Sequence, residues 1–227
     1  MVEVPQGPVW RFERNVPQWE VWAHPVPGSQ YVLGLDPMSG EDDENKAWHA
    51  IEVIDHLTRE QVAEYRSRED PDLLAIQAYL AALRWNRAWI AVEITGGFGL
   101  SIVRKLWKDY RYPMVYTRKA LDSRREKMED RLGWDTKPGS KSLLEDGAKE
   151  MLRKGQTGIH SRLLARELTT YTRDRRGRTG PERGKHSDLL MAWMIAQAVA
   201  QEKPRRPAKR VPGTSFTRPL TYAQTGY

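Results

Sequence analysis

Three carboxylates stand at the edges of apolar segments. Asp36 ends the run Tyr31-Val32-Leu33-Gly34-Leu35, Glu93 ends Trp89-Ile90-Ala91-Val92, and Asp188 opens an almost wholly apolar stretch from Leu189 to Ala200. A carboxylate beside a core element costs free energy unless something compensates it. Three of them, from distant parts of the chain, point to a shared cation. Hard divalent ions such as Mg²⁺ prefer oxygen ligands and take few protein carboxylates. The chemistry such a set serves is metal-assisted phosphodiester hydrolysis. Each acid also has a plain alternative. Asp36 before Pro37 can start a turn, Glu93 can be a strand-end acid held by an amide, and Asp188 suits the first turn of a helix. His186, two residues ahead of Asp188, is either a further ligand or phosphate contact or an ordinary loop histidine.

The elements that must position these acids can be read from periodicity. Gln30 to Asp36 reads as a buried strand, and Trp48 to Ile54 as a second with period-two alternation. Gln61 to Ser67 fits helix or strand on pattern alone, and the alternation of Val62, Glu64 and Arg66 with Ala63 and Tyr65 favours a strand. Asp70-Pro71 starts a helix running to about Trp85, with Leu73, Leu74, Gln77, Leu80, Ala81 and Leu83 inward. Trp89 to Glu93 is a short buried strand. Gly99 to Tyr110 is expected to be a helix with Ile102, Val103, Leu106 and Trp107 inward, and Pro113 to Thr117 a further strand. Residues 118–139 look charged and irregular. Ser140 or Ser142 caps a helix reaching Arg153, with Leu143, Leu144, Ala148, Met151 and Leu152 inward. Ser161 caps a short helix through Leu168, and the Asp188 helix comes last. Short connections make the first strands antiparallel, and later strands follow helices. The expected class is α/β, with a mixed central sheet of about five or more strands flanked by helices on both faces.

Composition narrows the possibilities. A chain of 227 residues with 39% hydrophobic content and nine Trp can bury a substantial core. The absence of Cys excludes disulfides and thiolate metal sites, and makes an intracellular setting the default. No apolar stretch reaches the roughly 18 residues that span a bilayer, and Met1 to Gln18 lacks the apolar centre of a signal peptide. Residues 1–27 read as an aromatic, Pro-rich lead-in or linker, with a possible hairpin at Asn15-Val16-Pro17. Residues 28–202 read as the main domain and 203–227 as a basic, flexible tail. That tail holds six cations and no acid, within a net charge of +7. A second basic cluster, Arg173, Arg175, Arg176, Arg178, Arg183 and Lys185, leads directly to Asp188. Such clusters attract polyanions, and DNA is the expected ligand of the loop. The tail is read equally as a solvated segment. Gly180 to Lys185 is not a phosphate loop: its glycines are too close, and His186 stands where Ser or Thr is required.

Four segments, in order, resemble the nuclease domain of the large terminases of tailed bacteriophages. They are Tyr31-Val32-Leu33-Gly34-Leu35-Asp36-Pro37 with Gly40, and Val92-Glu93-Ile94 with Gly97. The others are Gly133-Trp134-Asp135-Thr136 with Ser140-Lys141, and Gly184-Lys185-His186-Ser187-Asp188-Leu189-Leu190-Met191-Ala192. The resemblance spans roughly residues 28–200. It implies an RNase H-like fold and metal-dependent endonuclease activity on double-stranded DNA, used to cut concatemeric viral genomes during packaging. Two Mg²⁺ or Mn²⁺ ions are then expected, with Asp36 bridging them and Glu93 and Asp188 each completing one shell. Lys141 is an auxiliary candidate for neutralising developing charge, and Asp43 for an outer-shell role. The third motif of the family often carries two adjacent acids, and here Ser187 occupies the first place. An ATPase motor, excised or on another chain, a small terminase and a portal protein are the implied partners, in the cytoplasm of an infected host cell. The alternatives are another RNase H-like nuclease, such as a junction resolvase or integrase, and a non-catalytic DNA-binding packaging module.

Overall fold

The computed structural model describes residues 18–38, 48–95, 97–122, 127–175 and 177–203. Its centre is a five-stranded sheet of β1 (Gln18–Val21), β2 (Tyr31–Asp36), β3 (His49–Asp55), β4 (Gln61–Ser67) and β5 (Trp89–Val92), in the order β1-β4-β3-β2-β5. The first four strands pair antiparallel, and β5 lies parallel to β2. A parallel neighbour needs a long crossover, which here runs through β3, β4 and the helix α1 (Pro71–Arg84). The sheet thus takes in Gln18–Val21, from the segment read as a lead-in. Asp43 and the possible hairpin at Asn15 to Pro17 lie outside the described residues, as does the tail beyond Lys203.

Both faces of the sheet are covered. Leu33, Leu35, Ile51, Val53, Ala63 and Tyr65 pack against α1 and against α2 (Phe98–Arg104), which continues as a π-helical turn over Lys105–Asp109. Val32, Ala50, Ile54 and Ala91 face three helices: α3 (Pro138–Arg153), α4 (Arg162–Thr170) and α5 (Asp188–Glu202). The chain is α/β with helices on both faces, as its periodicity implied. Burial on two faces explains why β2 reads as a nearly continuous apolar run. Contact of α5 with the sheet depends on Gly34. A Cβ there would lie 2.0 Å from the Ala192 carbonyl oxygen, so helix backbone rests directly on strand backbone.

Several elements differ from expectation. Residues 118–139 are not irregular: β6 (Thr117–Asp122) and β7 (Lys127–Leu132) form a separate hairpin. The strand expected at Pro113 to Thr117 reduces to one bridge, Val115 to Ile90, because the chain turns into that hairpin after one rung. The segment after α4 contains a second hairpin, β8 (Tyr171–Arg173) with β9 (Thr179–Pro181). The inward face of α1 is mostly alanine (Ala75, Ala78, Ala81, Ala82), while Leu73 and Leu83 are exposed. Trp107 and Leu143 are also exposed, since no element among the described residues covers their sides of the helices. α3 begins at Pro138, with Ser140 accepting from the Lys137 N–H rather than serving as the cap residue.

Candidate active site

Asp36 and Glu93 stand side by side because β2 and β5 are parallel. Leu35 pairs with Val92, and the Glu93 N–H donates to the Leu35 carbonyl at 2.9 Å, so both carboxylates leave the same end of the sheet. Glu93 is further fixed from behind. A Cβ on Gly99 would lie 1.7 Å from the Glu93 carbonyl oxygen, so only glycine lets α2 start so close. Thr95 and Thr136 lie beside the Glu93 carboxylate and partly offset the upward push of burial on its pKa; the Thr136 N–H donates to the Thr95 hydroxyl at 2.8 Å. Thr136 is brought there by Gly133-Trp134-Asp135, which pairs alongside β5: the Trp134 N–H reaches the Val92 carbonyl at 2.7 Å. Asp135 in turn binds Arg118 at 3.2 Å and Lys137 at 3.1 Å.

Asp188 reaches the same rim from the opposite direction. Its Oδ2 accepts the Trp48 N–H at 2.9 Å, just ahead of β3 and two residues from Ala50, which pairs with Asp36. His186 Nδ1 lies 3.7 Å from the same oxygen. Burial raises the Asp188 pKa, against the opposing pull of the Trp48 N–H, His186, Arg66 and Arg68. For Asp36 the leading influences all act in one direction. Burial comes first, then the charges of Asp188, Glu93 and Glu167, and together they hold its carboxyl well above the ordinary range.

Glu167 was missed by sequence reasoning. Ser187 makes no side-chain cap to α5, and Glu167 of α4 takes its place, accepting the Leu190 N–H at 2.9 Å. Its pKa is pushed up to about 7, chiefly by burial, with Asp188 adding to the effect. Glu52 and Glu64 lie deeper on the same face, joined by Gln61, whose amide donates to Glu52 at 2.8 Å and accepts from the N–H groups of His160 and Ser161. Burial raises both acids, Glu64 to about 7. The alternation of Glu64 and Arg66 in β4 was the available signal.

The auxiliary residues are placed as follows. Lys141 Nζ donates to the Thr179 carbonyl at 2.8 Å, which ties α3 to the β8–β9 hairpin. Arg173, Arg175, Arg178, Arg183 and Lys185 are exposed, and Arg178 pairs with Asp174 at 2.9 Å. Arg176 lies outside the described residues. Among the described residues, no three Asp, Glu or His side chains are gathered into a ready metal cage. The donors nevertheless fit a hard cation: they are all oxygen, they are few, and buried like charges surround Asp36. A divalent ion there would reverse the sign of the local field.

The strand order and the helices on both faces make a mixed α/β domain. Among solved structures, it matches the large terminase nuclease of the thermophilic phage G20c, with 16% identity, a TM-score of 0.59, and coverage of 84% of this chain and 91% of that one. The same nuclease with bound magnesium gives 18% identity, a TM-score of 0.58, and coverage of 84% and 90%. The large terminase nuclease domain of Thermus phage P74-26 gives 18% identity, a TM-score of 0.51, and coverage of 81% and 85%. No family model matches the chain. Among the described residues, no helix is long and apolar enough to cross a membrane.

Proposed function

We propose that this chain is a metal-dependent endonuclease for double-stranded DNA, the nuclease domain of a phage large terminase, which cuts concatemeric genomes during packaging. The observation that carries the reading is the shared rim. Asp36 and Glu93 end adjacent parallel strands, and Asp188 is bonded to the backbone that leads into β3. The likeness of fold to terminase nucleases, one of them solved with magnesium, supports it.

Asp36, Glu93 and Asp188 would hold two divalent ions, Mg²⁺ or Mn²⁺. When bound, such ions lower the pKa of the attacking water and stabilise the departing 3′ oxygen. The chain's own residues do the positioning. Gly34 and Gly99 seat α5 and α2 against the two strands that end in acids. The bond from the Glu93 N–H to the Leu35 carbonyl fixes Glu93, the Trp48 N–H orients Asp188, and Glu167 anchors the first turn of α5. The basic segment from Arg173 to Lys185 would hold DNA phosphates without sequence preference. An ATPase motor, small terminase and portal would be its partners in the host cytoplasm.

Plasmid cleavage with Mg²⁺ or Mn²⁺, comparing wild type with Asp36→Asn, tests this reading. Metal-dependent cutting of plain duplex that is lost in Asp36→Asn is the expected result. Preference for branched DNA would indicate a resolvase. DNA binding without cutting under either metal would indicate a non-catalytic module.

A further inference from the structure

The acidic rim has a cationic wall on the β4 side. Ala50 is the register partner of both Asp36 and Arg66, so the three residues form one row across β2, β3 and β4. Residues directly opposite one another project from the same face of a sheet. Strands lie about 4.8 Å apart, which puts the Arg66 backbone roughly 10 Å from that of Asp36. Trp48 precedes Ala50 by two residues and Arg68 follows Arg66 by two, so both continue these rows toward the open end. The guanidinium carbons of Arg66 and Arg68 lie 4.1 and 4.0 Å from the Trp48 ring centroid. The same Trp48 donates its backbone N–H to Asp188 at 2.9 Å.

Two guanidinium groups on one indole repel each other, and the arrangement favours an anion that touches both. Arg66 feels Glu167, Asp188 and Glu64 on its inner side, yet its buried Nε has no acceptor. Arg68 is exposed to solvent. Arginine on an aromatic face presents a preorganised fork to phosphate oxygens, so little of its freedom remains to be lost on binding. Phosphates approaching Asp36, Glu93 and Asp188 meet like charge, and a cation pair beside them offsets that repulsion.

We propose that Arg66 and Arg68, held on Trp48, form a phosphate-binding site for the DNA strand beside the acidic rim. Trp48 then links phosphate binding to the position of Asp188, because one residue supports both. The proposal rests on the nuclease reading above and adds a second DNA contact, separate from the Arg173–Lys185 segment. The test is binding of unrelated duplexes by fluorescence anisotropy in EDTA, with wild type and Arg68→Gln. The exposed position of Arg68 keeps that variant folded. Arg68→Gln should weaken binding about tenfold on every sequence, the scale of one lost charged hydrogen bond. It should also lower the salt slope by about one. A neutral methylphosphonate walked along the strand should erase the difference between the two proteins at one position. Equal affinity and equal slope, in a wild type that binds and cuts duplex DNA, overturn the proposal alone. A wild type that binds no duplex at all removes the nuclease reading and this one with it.

Discussion

Replacing Glu167 with Gln should stabilise the metal-free protein at neutral and alkaline pH and leave it unchanged in acid. Glu167 is only 7% exposed, and its pKa rises from the ordinary 4.5 to about 7. Below pH 4.5 the carboxyl is protonated in both folded and unfolded chains, so it contributes no difference. Between pH 4.5 and 7 the unfolded chain ionises first, and stability falls as pH rises. Above about pH 7 the folded form ionises too, and the full penalty of about 3 kcal/mol is reached, at about 1.36 kcal/mol per pH unit. Gln never ionises, and its amide oxygen can still accept the Leu190 N–H. With a urea slope of about 3 kcal/mol per molar, the variant's midpoint should sit about 1 M higher at pH 9 and coincide with wild type near pH 4.5. Paired urea titrations in EDTA at the two pH values provide the measurement. A midpoint difference that is equal at both, or larger in acid, refutes the assignment of Glu167 as a buried acid destabilised by burial and by Asp188.

Asp36→Asn should cut cleavage by about a thousandfold, the equivalent of a loss of about 4 kcal/mol at the transition state. It should also raise the melting temperature in EDTA, because burial and three neighbouring acids all disfavour the Asp36 charge; a lower melting temperature would contradict this electrostatic picture. Gly34→Ala places a methyl against the Ala192 carbonyl and should cost about 3 kcal/mol or more, or prevent folding, as read from urea unfolding and soluble yield. Neutral replacement of Arg175, Arg176 and Arg178 should weaken duplex binding equally across sequences and flatten the salt slope by about one per lost phosphate contact. An unchanged slope would make that segment a solvated surface.

The three carboxylates were legible because each marks a sharp boundary between apolar and polar sequence. Boundaries of strands and helices tend to fall at the rim of a sheet, where acids from distant segments can meet. Glu167 gave no such signal. It sits among Arg162, Arg166 and Thr170 on a short amphipathic helix, and only the packing of α4 against α5 turns it inward. Glu52 and Glu64 were hidden for a related reason. A charged residue alternating in a strand reads as solvent-facing, but here helices cover both faces of the sheet. The hairpin of β6 and β7 pairs apart from the central sheet and has almost no apolar face, so its charge masked its regularity. Trp107 and Leu143 show the converse: an apolar residue at helical spacing goes inward only if an element lies over it.

The crossing of α5 over Gly34 has a consequence for biosynthesis. Asp36 and Glu93 can be aligned as soon as β5 pairs with β2, but Asp188 belongs to a helix made far later. That helix rests on β2, the strand carrying Asp36, and on β3, and at Gly34 backbone meets backbone. Contacts so distant along the chain form late, after the loops between them have closed. A nascent polypeptide emerging from the ribosome therefore carries Asp36 and Glu93 before Asp188 can join them. The acidic rim is completed in one docking event, when the last described helix settles. On the proposed nuclease reading, a premature stop ahead of residue 188 leaves a fragment that lacks the third acid and should not cut DNA.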